Sequence, residues 1–196
     1  MSATLHRREV VNTLLKDRED LLVVAGLGSS AWDCAAAGDH PLTFPLWGAM
    51  GSACMIGLGL ALAQPAWRVL VITGDGEMLM GLGSLATIGV QRPRNLAIVV
   101  LDNERYAETG MQETHTAHGA ALWPIARACG FSQARIVRTG AAIRAMRSGV
   151  YRGKGPLFYQ VKVRHETPPL VLPPRDGVHL KSRFREALLP RARLAK

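Results

Sequence analysis

Two runs of the chain, Arg68–Thr73 (RVLVIT) and Leu96–Leu101 (LAIVVL), are continuously apolar where a half-exposed strand would alternate. Such strands are buried on both faces, the situation of a parallel sheet covered by helices on each side. Between them Met78–Val90 is rich in small residues and helical in pattern, and Pro93 and Asn95 break it. Strand, helix and strand within about 34 residues form one βαβ unit. The alternation extends outward. Leu5–Lys16 places Leu5, Val10, Val11, Leu14 and Leu15 on one helical face, and Leu21–Ala25 reads as a buried strand. Gly51–Ala63 is a second small-residue helix, ended by Pro65, and 38–45 is irregular. Ala120–Cys129 and Gly140–Arg152 read as helices, and Arg135–Val137 and Leu157–Val163 as strands. The predicted fold is α/β, an open, mostly parallel sheet with helices on both faces.

A length of 196 residues suits one sizeable domain rather than two. After His165 the chain changes character. Pro168, Pro169, Pro173 and Pro174 give an extended tail, with a short helix over Lys181–Leu189. The expected division is an α/β domain over 1–165 and a Pro/Arg-rich C-terminal tail over 166–196. The net charge of +9 is unevenly spread, −4 over 1–126 and +13 over 127–196. Arg144, Arg147, Arg152, Arg183, Arg185, Arg191 and Arg193 contribute to the basic part. No RNA-binding aromatic signature or helix-turn-helix pattern accompanies them, so a subunit contact or a solvated face is expected and nucleic acid is not. Cys34, Cys54 and Cys129 are scattered and form no CxxC pair. Reduced thiols and a cytoplasmic location follow as the expectation. The N-terminal His6-Arg7-Arg8-Glu9 precedes no signal-peptide core. Ala49–Ala63 is shorter than the ~20 residues of a membrane span and is broken by Gly51, Gly57 and Gly59, so no membrane partner is expected.

Ligands of open α/β sheets bind beyond the carboxyl ends of the strands. Three loops therefore matter. Gly26-Leu27-Gly28-Ser29-Ser30-Ala31 meets the loose G-x-G-x-x-G/A pattern, but so does Gly81–Ala86, and no acidic residue sits where a ribose contact belongs. A phosphate contact from Ser29 or Ser30 is the better reading. Gly74-Asp75-Gly76-Glu77 offers backbone N–H groups to an anion at a helix start. A carboxylate there is unfavourable unless a cation bridges it to the phosphate, and hard oxygen ligands suit Mg2+. An N-cap aspartate in an ordinary turn is the alternative. The third loop, Asp102-Asn103-Glu104-Arg105-Tyr106, follows the second strand of the βαβ unit, whose end a right-handed crossover places close to the first though not always adjacent to it, so Asp75 and Asn103 can converge on one ion.

Gly74-Asp75-Gly76, then 26 residues, then Asn103 at the end of an apolar strand resembles the thiamine diphosphate motif. Gly48-Ala49-Met50-Gly51 before a small-residue helix, with Gln64-Pro65 and the strand into Gly74, resembles the thiamine-binding module of 2-oxo-acid decarboxylases and acetolactate synthase-like enzymes. Leu101-Asp102-Asn103, Tyr106, Thr109-Gly110, Gln112, Thr114, Gly155-Pro156 and Arg183-Phe184 resemble the sulfopyruvate and phosphonopyruvate decarboxylase branch, over roughly Gly26–Leu188.

The resemblance implies the thiamine diphosphate-binding fold, with thiamine diphosphate and Mg2+ as cofactors. It makes Asp75 and Asn103 side-chain ligands of Mg2+ and Arg105 a carbonyl ligand. Gly76 and Glu77 would give N–H groups to the diphosphate, beside Gly74, Tyr106, Ser29 and Ser30. Met50 would wedge between the two rings, and the Gly48 carbonyl would accept from the 4′-amino group. Gln112 and His115 are the candidate catalytic proton donors, with His118 a further histidine of the same loop. The implied reaction is conversion of a small anionic 2-oxo acid to an aldehyde and carbon dioxide. A carboligase subunit or a non-catalytic regulatory subunit would share the module. An oxidoreductase subunit would too, but the three dispersed cysteines give no sign of an iron–sulfur cluster. The branch carries an Arg-Glu pair soon after the first strand, where this chain has Ser30-Ala31-Trp32-Asp33. The resemblance also implies a hetero-oligomer, in which an alpha subunit with the pyrimidine-binding domain supplies an activating glutamate.

Overall fold

In the computed structural model, which describes residues 5–18 and 20–189, the apolar runs assemble into one six-stranded parallel sheet. Its strands are β1 (Leu21–Ala25), β2 (Thr43–Pro45), β3 (Arg68–Gly74), β4 (Leu96–Asp102), β7 (Gln133–Val137) and β8 (Leu157–Lys162), in the order β2-β1-β3-β4-β8-β7. The helices are α1 (Arg7–Leu15), α2 (Ser29–Ala36), α3 (Ala53–Ala63), α4 (Asp75–Met80), α5 (Ser84–Gln91), α6 (Leu122–Ala128), α7 (Gly140–Arg152) and α8 (Gly177–Leu188). A two-stranded antiparallel ribbon, β5 (Arg105–Tyr106) with β6 (Gln112–Glu113), stands apart.

Alternate residues of each strand point to opposite faces, so two cores form. Leu21, Val23, Leu70, Ile72, Val99 and Val161 meet α1, α2 and α7 on one face. Leu22, Val24, Val69, Val71, Ile98 and Phe158 meet α3, α5 and α6 on the other. That is why the central strands carry no polar alternation.

Several boundaries differ from the sequence expectation. The helix expected over Met78–Val90 is two helices, broken at Gly81-Leu82-Gly83. Gly81 lies so close to the Gly51 carbonyl that a Cβ there would overlap it, and this backbone contact ends α4. The irregular segment 38–45 contains β2, whose register pairs Val23 with Thr43. Its three residues are too few to show a period. Ser29 and Ser30 open α2 rather than sit in a loop, and the last helix starts at Gly177, where Asp176 Oδ1 accepts from the amides of Val178 and His179. α8 returns to the sheet edge: Phe184 packs edge-on against Phe44, and Arg183 pairs with Asp39. Residues 190–196 of the expected tail, including Arg191 and Arg193, lie outside the described residues.

Chain order makes one crevice. The connection after β1 runs outward to β2 and then crosses back to β3, leaving the carboxyl ends of β1, β3 and β4 open between diverging connections. Among the described residues, no helix is long and apolar enough to cross a membrane.

Candidate functional site

A cleft of about 220 Å³ lies at those strand ends. Of the residues expected to touch the cofactor, Ser29, Ser30, Met50, Gly74, Asp75, Gly76, Glu77, Asn103, Arg105 and Tyr106 line it together. Gly48 is exposed and does not line it.

β3 ends at Gly74, and Asp75 begins α4 without an intervening loop, which puts its carboxylate in the first helical turn. It is 2% exposed. Oδ2 accepts from Thr114 Oγ1 at 2.5 Å and lies 3.1 Å from Thr116 Oγ1. Thr116 Oγ1 also donates to Asp102 Oδ1 at 2.7 Å, and the two threonine hydroxyls are 2.9 Å apart. Two hydroxyl protons thus serve three carboxylate contacts. Burial raises the Asp75 carboxyl to about 6; the Thr114 bond opposes this and the Asp102 charge adds to it. A buried carboxylate so sparsely compensated suits a cation ligand.

Asp102 closes β4 fully buried, held by Gln160 Nε2 at 2.6 Å and Lys162 Nζ at 2.9 Å, both from β8. Lys162 also pairs with Glu104. Asn103 Oδ1 accepts from the Arg105 amide at 3.0 Å, and Glu104 between them is left-handed, with φ 63°. His165 Nδ1 lies 2.7 Å from the Asn103 carbonyl. The β5–β6 ribbon then carries Thr114 and Thr116 back over Asp75, with the Thr114 amide donating to the Glu104 carbonyl. No cluster of three His, Cys, Asp or Glu side chains able to hold a metal exists among the described residues. One carboxylate and one amide oxygen hold a divalent ion only if the ligand's own oxygens complete the shell, as a diphosphate does.

Glu77 does more than offer an amide. Its side chain, 5% exposed, accepts from Thr73 Oγ1 at 2.7 Å and presses against Gly26, where a Cβ would overlap it. Burial raises this carboxyl, while Thr73 and the nearby amides of Gly51, Leu27 and Ala53 lower it. Glu77 therefore packs beneath the loop after β1, with Oε2 held by Thr73 and Oε1 buried without a hydrogen-bond partner. Gly76 faces the Tyr106 ring so closely that a side chain there would displace it. The Met50 loop is bent by two left-handed residues, Ala49 at φ 57° and Gly51 at φ 90°, which present Met50 to the cleft at 37% exposure. α2 starts behind Gly28, at φ 67°, with no side-chain cap on its first amides.

Gln112 and His115 are exposed and do not line the cleft. The Gln112 amide is spent on Thr109, with Oε1 accepting from Oγ1 and Nε2 donating to the carbonyl, both at 2.8 Å. His118 pairs with Glu113 at 2.9 Å. Sequence reasoning missed Arg7, Leu27 and Glu108 in the cleft wall, and Thr116, Lys162 and His165 behind the Asp102–Tyr106 loop. Thr114 stood within the resembling run but had no assigned role. Among this group only Leu27 and Glu108 sit beside a recognisable motif.

Residues 27–161 match the family model described as thiamine pyrophosphate enzyme, C-terminal TPP binding domain. The chain belongs to this family. Within it, the chain is 37% identical over 180 residues to sulfopyruvate decarboxylase subunit beta of Methanothermobacter thermautotrophicus, covering 92% of this chain and 94% of the relative. It is 44% identical over 112 residues to phosphonopyruvate decarboxylase of Streptomyces viridochromogenes, covering 57% of this chain and 28% of that protein. The benzoylformate decarboxylase structure from Polynucleobacter necessarius superposes with TM-score 0.68 over 85% of this chain and 34% of that one, at 19% identity, a likeness of fold. The thiamine pyrophosphate fold thus accounts for the sheet order and for the position of the cleft.

Proposed function

We propose that the chain is the diphosphate-binding subunit of a thiamine diphosphate- and Mg2+-dependent decarboxylase acting on a small anionic 2-oxo acid. One observation carries the reading: Asp75 and Asn103, from adjacent strand ends, share one cleft with the α4 start and the uncapped amides of α2. The relatives named sulfopyruvate and phosphonopyruvate decarboxylase support the substrate class.

Each residue has a task in this reading. Asp75 and Asn103 hold Mg2+ through side-chain oxygens, with the Arg105 carbonyl as a third ligand. Thr114 and Thr116 fix the Asp75 carboxylate from behind. The Gly76 and Glu77 amides receive the diphosphate, with Ser29 and Ser30 opposite. Met50 braces the cofactor rings. When bound, thiamine diphosphate supplies the electron sink that lets a 2-oxo acid lose carbon dioxide. Residues 1–165 form the binding domain and 166–196 a tail. The activating glutamate comes from a partner subunit with a pyrimidine-binding domain, a reading in keeping with a relative named subunit beta.

The test is turnover with and without that partner. The purified chain, loaded with cofactor and Mg2+, is expected to release carbon dioxide from sulfopyruvate or phosphonopyruvate only when the co-purifying subunit is added. Vigorous turnover by this polypeptide alone would overturn the two-subunit reading.

A further inference from the structure

The arginines of α7 read from the sequence as a solvated face or a subunit contact, but the fold gathers them round a space. A second cavity, of about 550 Å³, lies at the amino end of the sheet. Leu21 and Arg68, paired at the first residues of β1 and β3, form part of its wall. The seven residues of β3 separate it from the cofactor cleft by about 20 Å. α7 supplies Arg144, Arg147, Ser148, Tyr151 and Arg152, whose spacing puts them on one face of the helix. Ile143, Met146 and Val150 turn the opposite way, into the core.

The charges of this cavity are held by neutral groups. Arg68 lies across the end of α7 and donates to the carbonyls of Gly149, Val150 and Gly153 at 2.6–3.2 Å. Arg147 Nη2 donates to the Lys16 carbonyl at 2.6 Å, and its guanidinium lies 4.7 Å from the centre of the Tyr151 ring. The Tyr151 hydroxyl in turn donates to the Leu14 carbonyl at 2.8 Å. Backbone carbonyls thus fix both guanidinium groups and leave their charge uncancelled. Asp17 and Asp20 share the wall, yet no ion pair joins either of them to an arginine among the described residues. Four guanidinium groups against two carboxylates leave the cavity net positive. An arginine already held in place loses less freedom on meeting an anion than a mobile one does.

We propose that this cavity binds a small phosphate monoester on a hydroxylated carbon skeleton, a sugar phosphate or a nucleotide. The phosphate lies against Arg144, Arg147 and Arg152, whose planar N–H groups match its oxygens, and Arg68 adds its charge from the strand side. Asp17 and Asp20 accept from the hydroxyls of the skeleton, and their own charge disfavours a polyanion such as nucleic acid. The volume suits a ligand of that size. The site stands apart from the metal ligands and does not depend on the cofactor reading.

Titration calorimetry on the full chain, with excess thiamine diphosphate and Mg2+ present, tests this with inorganic phosphate, ribose 5-phosphate and AMP as probes. Ribose 5-phosphate should bind saturably and more tightly than inorganic phosphate. The double variant Arg144→Gln/Arg152→Gln, changed at two exposed positions, should weaken it by roughly 10-fold or more, the worth of a charge-assisted contact. The double variant Asp17→Ala/Asp20→Ala should tighten inorganic phosphate and erase the preference for the ester. AMP bound more tightly than ribose 5-phosphate identifies a nucleotide site, and AMP bound equally or less tightly a sugar phosphate site; both support the proposal. No saturable binding of any probe at about 10 mM overturns it. So does an affinity unchanged in the arginine variant, or a probe that thiamine diphosphate displaces. A preference for the ester that survives the aspartate variant refutes the hydroxylated skeleton.

Discussion

Thr116 joins the buried carboxylates of Asp75 and Asp102, and its removal should be felt in both stability and cofactor affinity. Its hydroxyl donates to Asp102 Oδ1 at 2.7 Å and lies 3.1 Å from Asp75 Oδ2, with Thr116 itself 6% exposed. Thr116→Val keeps the shape and deletes the hydroxyl. A hydrogen bond to a charged, buried group contributes about 1.5–3 kcal/mol. Asp102 keeps Gln160 and Lys162, so the loss should sit near the middle of that range, about 2 kcal/mol, measured by urea denaturation. In a chain of this size that lowers Tm by about 4–8 °C. Asp75 would keep only the Thr114 bond and be less firmly oriented, so Mg2+-thiamine diphosphate should bind about tenfold more weakly. Thr116→Ser, which restores the hydroxyl, should recover most of the affinity. A valine variant within about 0.5 kcal/mol and twofold of wild type would refute the bridging role.

Other consequences follow from the packing. Gly89→Ala should destabilise by several kcal/mol in denaturant melts, because its Cβ would overlap the Cys129 carbonyl, backbone that cannot swing aside. Gly57→Ala meets only a Val71 methyl and should cost about 1–2 kcal/mol, with Val71→Ala partly compensating in a double-mutant cycle. Arg68 donates to the carbonyls of Gly149, Val150 and Gly153 at the end of α7. Arg68→Met should therefore cost about 2–3 kcal/mol and loosen amide-exchange protection in the last turn of α7.

The βαβ unit was legible because β3 and β4 have both faces buried, leaving an uninterrupted apolar signal. The loops that follow them were legible because strand ends meet where the motif says they do. What escaped depends on distance. α4 and α5 look like one helix until Gly51 is known to lie against Gly81. β2 is defined by its partner β1 rather than by its own residues. Thr116, Lys162 and His165 reach the Asp102–Tyr106 loop from 14 to 62 positions away, and nothing in their local sequence marks them. Arg7 sits in an amphipathic helix whose pattern reveals the buried leucines and valines but not a buried charge. Gln112 and His115 show the converse: a polar residue near a motif can still point away from the cleft.

Asp75 and Asn103 are proposed to hold the metal that anchors a thiamine diphosphate in this cleft. Titration calorimetry of wild type and Asp75→Ala with thiamine diphosphate, in the presence and absence of Mg2+, addresses it directly. Saturable binding that requires Mg2+ and disappears in Asp75→Ala is predicted. Binding that survives the substitution, or that ignores Mg2+, would rule out Asp75 as the anchor of the metal.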